Sequence, residues 1–313
     1  MVDQLIRATA ADGGVRVVGV IATQLTNEAS RRHKLSTVAT AALGRAMSAS
    51  LLLASSMKRP HSRVNIRVAG DGNLGLVFAD AGMDGTVRGF VANPSFDLPL
   101  NADGDPDVQE AIGKTGFLRV MRDVGYGDPF ASTVELVSGE IGEDVAWYLA
   151  SSEQTFSKLM VGEFIGDSDL PNGDASSRKG VNVSAGILLQ ILPKAARDEN
   201  LMAQIDARVE ASEGLTSLLK QGKSLEQIMS EILGDLNLHI FPATQPVKFQ
   251  CPCSLERVLG ALKMFGEAEL KDMIAKDNGA EATCHFCAEV YRADSQQLEE
   301  IINGLKAETS VNN

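Results

Sequence analysis

Four cysteines form two close pairs in the last quarter of the chain, and paired thiols are suited to metal binding or to redox chemistry. The first pair is Cys251-Pro252-Cys253 and the second is Cys284-His285-Phe286-Cys287, and no cysteine occurs in the first 250 residues. In a reducing compartment, this arrangement predicts a metal or redox site rather than a framework of structural disulfides.

The spacing within the pairs predicts zinc as the metal. Zinc in structural sites takes four soft ligands at about 2.3 Å in a tetrahedron, and two close cysteine pairs supply such a shell. The C-x-x-C spacing is common in zinc proteins, whereas C-x-C is less common and therefore more specific. His285 lies inside the second pair, but four cysteines already complete the shell. The predicted ligands of one zinc ion per chain are Cys251, Cys253, Cys284 and Cys287.

Two interpretations of this module stay open at this point: a purely structural zinc domain, or a redox switch built on one. The segment from Val247 has only about sixty residues, a size at which an apolar core alone is marginal. Structural zinc contributes roughly 10–16 kcal/mol, whereas a disulfide that closes so small a loop contributes about 2 kcal/mol before strain. Oxidation of both pairs would therefore exchange a large stabilisation for a small one, and local unfolding is expected.

The composition indicates a globular protein with an acidic balance. Of 313 residues, 44% are hydrophobic and 22% are charged, which fits two or three domains and excludes a wholly disordered chain. The net charge of -12 argues against a nucleic-acid-binding protein and against docking on anionic membranes. Motifs such as H-E-x-x-H, G-x-S-x-G and a Walker loop are absent, so enzymatic activity is not predicted.

Residues 1–165 are predicted to mix strands and helices, so the predicted fold class is α+β with a largely antiparallel sheet. Alternating apolar residues predict strands at 15–21, 64–68, 75–79 and 86–91. The turn Gly70-Asp71-Gly72-Asn73-Leu74-Gly75 matches the G-x-G-x-x-G dinucleotide motif. Because a strand rather than a helix follows it, a hairpin turn is predicted there.

The least polar stretch, Thr37 to Met57, is predicted to be a buried helix rather than a membrane span. Arg45, Ser48 and Ser50 interrupt it, whereas a spanning helix needs about 20 mostly apolar residues. Ser36 is placed to cap this helix. Its apolar face is predicted to consist of Ala39, Leu43, Met47 and Leu51. Since the N-terminus also lacks the apolar segment of a secretory signal, a soluble, cytoplasmic protein is expected.

The second half of the chain is predicted to become helical after an apolar run, Ile187 to Leu192, that Pro193 ends. Residues 166–180, rich in Gly, Asp, Ser and Pro, predict a surface loop or a domain boundary. Ser224 and Gln227 fit a capping box, and Gly234 is the predicted helix stop. The helix between them carries an apolar stripe of Leu225, Ile228, Met229 and Ile232.

The last segment is predicted to hold a knuckle-like turn around the second cysteine pair, together with helices. Ser254 is placed to cap the first helix, which ends near Gly266, and a short helix follows around 270–274. The apolar face of the last helix is predicted to consist of Leu298, Ile301, Ile302 and Leu305.

The chain resembles the redox-regulated heat-shock protein 33 family, the bacterial 33 kDa chaperonins. The resemblance is closest in Val247–Arg257 and in Cys284–Cys287 with Tyr291, and it extends over nearly the whole chain through motifs such as Ala42-Leu43-Gly44-Arg45. Where the family usually has paired glycines, this chain has Gly186-Ile187, a departure expected to affect one turn.

The resemblance implies a chaperone in three parts, without enzymatic activity. The parts are an N-terminal chaperone domain (residues 1–178), a helical linker (179–246) and a C-terminal zinc-binding redox-switch domain (247–313). The implied activity is ATP-independent holding of unfolding proteins under oxidative and heat stress. The reduced, zinc-bound form is implied to be inactive, and oxidation to expel zinc, unfold the C-terminal region, destabilise the linker and produce homodimers.

Oxidation is expected to join neighbours in the sequence, Cys251 with Cys253 and Cys284 with Cys287, because proximity gives each thiolate a high effective concentration of its partner. Unfolded clients are expected to bind the linker and the sheet surface that it covers. The candidate contacts are Leu225, Ile228, Met229 and Ile232.

Two other functions remain as alternatives: a zinc-ribbon protein that binds nucleic acid, and a thiol-disulfide oxidoreductase that uses Cys284 and Cys287. The net charge counts against the first. Four thiolates that share one metal count against the second, which needs an exposed cysteine of lowered pKa.

Overall fold

A computed structural model describes residues 2–166 and 180–311, with side chains as far as Lys306. These residues fall into two units, residues 1–250 and residues 251–313. The loop predicted at 166–180 lies outside the described residues except for its two end residues. The predicted divisions after residues 178 and 246 stay predictions.

The strands of the first unit vary from two to twelve residues in length. They are β1 (Gln4–Ala10), β2 (Val15–Ile21), β3 (Arg63–Gly70), β4 (Val77–Gly82), β5 (Thr86–Val91), β6 (Gly116–Asp123), β7 (Phe130–Glu135), β8 (Ser157–Gly166), β9 (Gly180–Ile191), β10 (His239–Ile240), β11 (Gln245–Pro246) and β12 (Lys248–Phe249).

The strands form two sheets. Sheet 1 has the order β10-β1-β2-β9-β8, and β11 also pairs with β1; sheet 2 has the order β12-β5-β4-β3-β6-β7. The described pairs are antiparallel except for the short parallel pair of β12 with β5. The α+β prediction is therefore confirmed, with the predicted meander as β3, β4 and β5. The division of the strands between two sheets was not predicted.

The helices of the first unit occupy three regions of the chain. They are α1 (Thr23–His33), α2 (Thr37–Ala54), α3 (Val108–Ile112), α4 (Ile141–Ser151), α5 (Glu199–Ala211), α6 (Leu215–Lys220) and α7 (Leu225–Leu233).

Helix α2 is the predicted buried helix, and it packs between the two sheets. It contacts β2, β8 and β9 of sheet 1 and β3, β4 and β5 of sheet 2. Every residue from Val38 to Ala54 is buried, and the Ser36 hydroxyl accepts a hydrogen bond from the Ala39 N–H at 3.1 Å. A helix with neighbours on both sides needs small or apolar residues all round. Among the described helices, α2 alone is long and apolar enough to cross a membrane, but 94% of that window is buried inside the protein.

The G-x-G-x-x-G motif is a turn between antiparallel strands, as predicted. Gly70 ends β3, and β4 begins at Val77. A Cβ atom at Gly70 would lie 2.2 Å from the carbonyl oxygen of Ile112, and one at Gly72 would lie 2.3 Å from that of Ala111. Glycine is needed here because the end of α3 approaches the turn backbone, and not because a phosphate does.

Helices α5, α6 and α7, called the covering helices below, pack on the face of sheet 1 that points away from α2. The capping box of α7 is confirmed, since Gln227 N–H donates to the Ser224 hydroxyl and Ser224 N–H donates to the Gln227 side chain. Gly234 ends α7 as predicted, but with a right-handed φ of -57°, and a short 3-10 turn continues to Leu236. The first twelve residues after Lys179 form strand β9, so helix resumes only at Glu199.

Gly186-Ile187, which replaces the paired glycines usual in the resembled family, lies inside a strand. The expectation that this difference affects a turn is therefore wrong. Both residues lie in the middle of β9, where Gly186 pairs with Val20 and Ile187 pairs with Gly19. Ile187 is fully buried under the covering helices. The turn assignment failed because a glycine inside an apolar run can also serve close packing.

The second unit is small and mixed. Its elements are α8 (Leu255–Leu262), α9 (Gly266–Asp277), the hairpin strands β13 (Gly279–Thr283) and β14 (Val290–Asp294), and α10 (Ser295–Val311). The Ser254 hydroxyl caps α8 by accepting from the Arg257 N–H, as predicted. The buried apolar residues of its core, among those described, are Leu262, Leu270, Ala293, Leu298, Ile301 and Ile302.

Candidate metal centre

The first cysteine pair lies at the start of a helix. Cys253 directly precedes Ser254, the N-cap of α8, and Cys251 lies two residues before Cys253. The first turn of a helix carries unpaired N–H groups and a partial positive charge, which favour the thiolate over the thiol in their neighbourhood. The sequence therefore places these two sulfurs where anionic metal ligands are stabilised.

The second pair lies in the turn between β13 and β14, the predicted knuckle. Cys284 N–H donates to the Glu289 carbonyl and Ala288 N–H donates to the Cys284 carbonyl, both at 2.8 Å. Ala288 has a left-handed φ of 54°, which closes the turn. The tight turn directs Cys284 and Cys287 toward one point.

The four sulfurs meet in one cluster. Their Sγ atoms all lie within 4.8 Å of one another, with Cys253 and Cys287 at 3.3 Å and Cys251 and Cys284 at 3.9 Å. Sulfurs bound to one zinc ion at 2.3 Å in a tetrahedron lie ~3.8 Å apart. The cluster therefore fits a tetrahedral four-thiolate metal shell, and all four predicted ligands are brought together. The described metal-binding group contains only the cysteines, so His285 stays outside it.

Cys287 is buried and the other three cysteines are half-buried, and this affects the protonation of the thiols. Burial is the main cause that raises the pKa of Cys287, which is 2% exposed, and that of Cys253. A bound cation of charge +2 reverses this effect and deprotonates coordinating thiols outright. Metal binding at this site must therefore release protons, so the metal affinity falls as the pH falls.

Tyr291 supports the cluster from outside. Its hydroxyl donates a hydrogen bond to Cys253 Sγ at 3.0 Å, and this bond is the main cause that raises the pKa of Tyr291. Such outer partners orient metal ligands and stabilise their charge. In the sequence, the family resemblance was the only sign that Tyr291 has a role. The register of the hairpin places Tyr291 on β14, beside the knuckle.

Comparison with known proteins agrees with this arrangement of fold and cluster. A sequence profile of the family described as Hsp33 protein matches residues 3–294. The chain belongs to the Hsp33 family.

Relatives within the Hsp33 family match the chain over nearly its full length. The 33 kDa chaperonin of Gloeothece citriformis is 61% identical over 309 residues, which cover 99% of this chain and 100% of that protein. The 33 kDa chaperonin of Trichormus variabilis is 60% identical over 311 residues, with 99% of each chain covered. The crystal structure of the 33 kDa chaperonin (heat shock protein 33 homolog) of Thermotoga maritima superposes with a TM-score of 0.86 at 33% identity, with 100% of each chain covered.

The second set of predicted residues in this Hsp33 chain lies on α7 and faces sheet 1. Leu225, Ile228, Met229 and Ile232 are 2%, 0%, 1% and 4% exposed. They pack on apolar side chains of the strands, a surface called the covered face below. The strand residues of the covered face are Ile6, Ala8, Ala10, Val15, Val17, Ile21, Ala185, Ile187, Leu189 and Ile191.

The approach of α7 to the sheet depends on a glycine in β2. A Cβ atom at Gly19 would lie 2.3 Å from Met229 Cε and 2.6 Å from Leu225 Cδ2. Glycine at this position lets both side chains rest on the strand backbone. The stripe predicted from helical spacing is thus buried against a sheet surface, the kind of partner that was expected, whereas the particular strands were not predicted.

The turn between β1 and β2 holds both ends of the covering helices. Lys194 Nζ, before α5, donates to the Asp12 carbonyl at 2.6 Å, and Asn237, after α7, donates to the Asp12 carboxylate at 2.9 Å. The Ala11 N–H donates to the Leu236 carbonyl at 2.6 Å. Sequence reasoning missed this connection, because it joins residues more than 180 positions apart.

A buried ion pair on the other side of sheet 1 was also missed. Arg45 of α2 donates to Glu163 of β8 at 3.2 Å and to Glu140 at 2.5 Å. Glu163 is fully buried, and the Ser184 hydroxyl donates to it at 3.3 Å. Burial raises the pKa of Glu163 to about 7, although Arg45 acts in the opposite direction. Arg45, a single charge in an apolar helix, was the available signal, since such a residue needs a buried partner.

Proposed function

We propose that this chain is a redox-regulated, ATP-independent chaperone that holds unfolding proteins and prevents their aggregation under oxidative and heat stress. Its similarity to proteins named 33 kDa chaperonin supports chaperone activity. The covered face is the observation that carries the proposal. A holding chaperone needs an extended apolar surface for its clients, and a resting protein must keep such a surface away from solvent.

The proposed resting state is reduced and binds one zinc ion through Cys251, Cys253, Cys284 and Cys287. The second unit buries six apolar residues among those described, so packing alone gives it little stability. Structural zinc contributes roughly 10–16 kcal/mol, as much as a whole domain usually has. The metal is therefore the main stabilising element of this unit.

The proposed activation is oxidation of the four thiols. In the zinc-bound state the four sulfurs are thiolates. Hydrogen peroxide takes two electrons from each pair of thiolates, which forms one S–S bond, and with two protons from solvent each peroxide becomes two water molecules. Disulfide sulfurs are poor zinc ligands, so the ion leaves and the second unit unfolds. Strand β12 ends at Phe249, with only Gln250 before the first ligand, so the chain that follows the covering helices then loses its folded continuation.

The pairing that we propose joins neighbours along the chain, Cys251 with Cys253 and Cys284 with Cys287, although the folded cluster also brings sulfurs of opposite pairs into contact. There, Cys253 Sγ lies 3.3 Å from Cys287 Sγ, and Cys251 Sγ lies 3.9 Å from Cys284 Sγ. Proximity along the chain decides the pairing if zinc leaves and the unit opens before the second bond forms. Peptide mapping of oxidised protein distinguishes the two routes: mainly Cys253–Cys287 bridges would contradict the proposed order of events.

Release of the covering helices then opens the binding surface. Helices of thirteen, six and nine residues are marginal without packing partners, so they are suited to release. The candidate client contacts are Leu225, Ile228, Met229 and Ile232, together with the covered face. The same exposed surface favours self-association, so we propose a homodimer in the oxidised state.

The protein is further proposed to act in the cytoplasm, without nucleic-acid or membrane partners. The reduced thiols need a reducing compartment, and the net charge of -12 opposes both kinds of anionic partner. Filter binding of nucleic acid at several salt concentrations and an insulin-reduction assay test the two alternative functions, and either activity at stoichiometric levels would contradict the proposal.

Light scattering of a thermally unfolding enzyme tests the function directly. Three samples are compared: reduced protein with zinc, protein treated with peroxide at elevated temperature, and the treated protein reduced again with zinc. Elemental analysis of the same samples gives the zinc content. Only the zinc-free, oxidised sample is expected to suppress aggregation. Equal suppression by the first sample would refute redox control, and suppression by none of them would refute chaperone activity.

A further inference from the structure

Strand β7 is an edge of sheet 2 with an unpaired backbone. It pairs with β6 and, within residues 2–166 and 180–311, with no other strand. The Leu136 N–H donates to the Gly116 carbonyl on the β6 side. Because backbone groups alternate sides along an antiparallel strand, Ala131, Thr133 and Glu135 direct their N–H and C=O groups to the open side. The described residues supply no hydrogen bond to those groups.

This edge has few of the features that usually protect a strand from pairing with another chain: Pro129 directly precedes β7 and Glu135 ends it, but the residues between them carry none. Proteins protect such edges with proline, lysine, bulges or a covering element. Residues 130–134, Phe-Ala-Ser-Thr-Val, contain no proline and no charge, and the register with β6 is regular. Ala131 and Thr133 are exposed. The strand therefore offers its open side as a template for an extended chain.

Apolar side chains near this edge are also exposed. Tyr126 is 59% exposed, Phe130 60%, Val137 52% and Trp147, on α4, 47%. These four residues belong to one continuous stretch of the chain that includes β7 and α4, and α4 contacts β7. Large exposed apolar groups around an open strand edge are typical of a protein-binding surface.

The same stretch is acidic. Residues 124–157 contain no lysine and no arginine. Three of their six carboxylates have partners in the fold: Glu140 bonds to Arg45, Glu153 to Arg122, and Asp144 to backbone N–H groups. The other three, Asp128, Glu135 and Glu143, are exposed and have no cationic partner among the described residues. The edge therefore matches a partner with cationic groups and repels a second copy of itself.

We propose that the open edge of β7 binds an extended segment of an unfolded client as an added strand, with preference for alternating apolar residues flanked by lysine or arginine. The inference rests on the proposed chaperone function and assigns it a second client contact, on the other sheet from the covered face. Backbone hydrogen bonds give such a site tolerance of sequence, which a chaperone with many clients needs. A single added strand binds weakly, and the contact gains strength when the same client also reaches the covered face.

A fluorescent peptide tests the edge apart from chaperone activity. The probe has four Val-Thr repeats with two lysines at each end, and its affinity for full-length reduced protein is measured by anisotropy. Thr133→Pro removes one outward N–H and no bond to β6, whereas Thr133→Val keeps the backbone donor. Loss of one such bond is expected to lower the affinity about threefold to tenfold in Thr133→Pro and to leave Thr133→Val unchanged.

Two further probes keep the result independent of any folding defect in Thr133→Pro. A peptide with N-methyl groups on alternate amides cannot complete the ladder, so it is expected to bind wild-type protein at least about tenfold more weakly. A peptide flanked by glutamates is expected to bind more weakly than the lysine form, with a difference that shrinks at high salt.

The possible outcomes distinguish a failure of the β7 site from a failure of the proposed chaperone function. Equal binding of the methylated and unmethylated peptides, or of the two charge forms, would overturn the edge proposal. Sedimentation that showed a wild-type dimer lost in Thr133→Pro, with no peptide binding, would also overturn it in favour of a contact between copies. Failure of oxidised protein to suppress aggregation, with peptide binding intact, would instead contradict the proposed function.

Discussion

In the first unit, forty described apolar residues are buried around α2 and between the two sheets, and another twenty are buried between sheet 1 and the covering helices. The second unit buries six, beside four cysteines. The stability of a large apolar core is spread over many contacts, whereas a unit that depends on a metal can lose most of its stability with one ion. The stability of this protein is therefore expected to be uneven along the chain, which is what a switch requires.

The expected stability of the covering helices is intermediate between those of the apolar core of the first unit and of the second unit. They bury a full apolar stripe, but they are short and they meet the sheet on one side only. Helix α2, with eighteen residues between two sheets, has neighbours on both sides. The order of expected stability is α2 and its sheets first, the covering helices second, and the second unit without metal last.

Removal of zinc is expected to have the largest effect. A chelator at neutral pH should unfold residues 251–306 and leave the amides of α2 protected, because the metal contributes roughly 10–16 kcal/mol to the small unit only. Hydrogen exchange followed by mass spectrometry measures both regions in one sample, and renewed addition of zinc is the control. Cys253→Ser should likewise lose zinc. Equal protection of the second unit with and without metal would show that the metal does not stabilise this unit.

A charge under the covering helices is expected to have the second-largest effect. Ile228→Asp buries a carboxylate on the fully covered side of α7 and should destabilise the packing of α7 by about 3–5 kcal/mol. We expect faster exchange of α7 amides and chaperone activity without oxidation.

Ser230→Asp is the matched control for Ile228→Asp, because it adds the same charge on the exposed side of the same helix. Protection of α7 that is equal in the two variants would show that the covering helices do not depend on this stripe.

The buried Glu163 should make the stability of the first unit depend on pH. Burial raises its pKa to about 7 from the ordinary value of 4.5, so the folded protein binds this proton more tightly than the unfolded chain does. Its contribution is therefore fully present below about pH 4.5 and is lost as the pH rises through about 7, with a total of up to about 3 kcal/mol.

Glu163→Gln should remove this part of the pH dependence, and the exposed Glu143→Gln should keep it. Urea unfolding of the three proteins between pH 5.5 and 8.5, followed by a signal from the first unit, measures the difference in slope. The same slope in all three would show that Glu163 stays charged over the whole interval.

A methyl group added to β2 at Gly19 should destabilise the packing of α7 on sheet 1, by less than Ile228→Asp does. In Gly19→Ala the new Cβ would overlap with the ends of the Leu225 and Met229 side chains, which can shift only by losing contacts. A destabilisation of about 1–3 kcal/mol is expected, with more exchange in α7 than in α2. Gly234→Ala is the control, because nothing lies within 4 Å of its added Cβ and its φ is right-handed.

The smallest effect is expected from Tyr291→Phe. The variant loses the hydrogen bond to Cys253 Sγ and keeps the ring, so the zinc affinity should fall about tenfold. Competition with a chromophoric chelator measures it, and Tyr126→Phe, far along the chain in the first unit, serves as the control. An unchanged affinity would mean that the cysteines alone determine how strongly the metal is held.

Several elements were predictable because their signals are local. The buried α2 with its Ser36 cap, the capping box at Ser224, the cap at Ser254 and the turn at Gly70 all depend on residues within a few positions of one another. Helical periodicity also identified the stripe that α7 buries. Strands β1, β6, β7 and β8 were not predicted. Strand β7, for instance, is a short exposed edge strand, and its two faces differ little in burial, so its sequence lacks a clear alternation of apolar and polar residues.

The sequence by itself determined the family of the chain, the four cysteines of the candidate metal centre, and the helices that carry apolar stripes, because paired cysteines and a 3.6-residue period need no knowledge of distant partners. Only the tertiary structure decided that Cys253 lies beside Cys287, that Tyr291 donates a hydrogen bond to Cys253, and that Glu163 meets Arg45. It also decided that one turn holds both ends of the covering helices and that β7 is left open. These features come from strand order and register, which join residues that are far apart in the chain, and local patterns in the sequence do not specify such pairings.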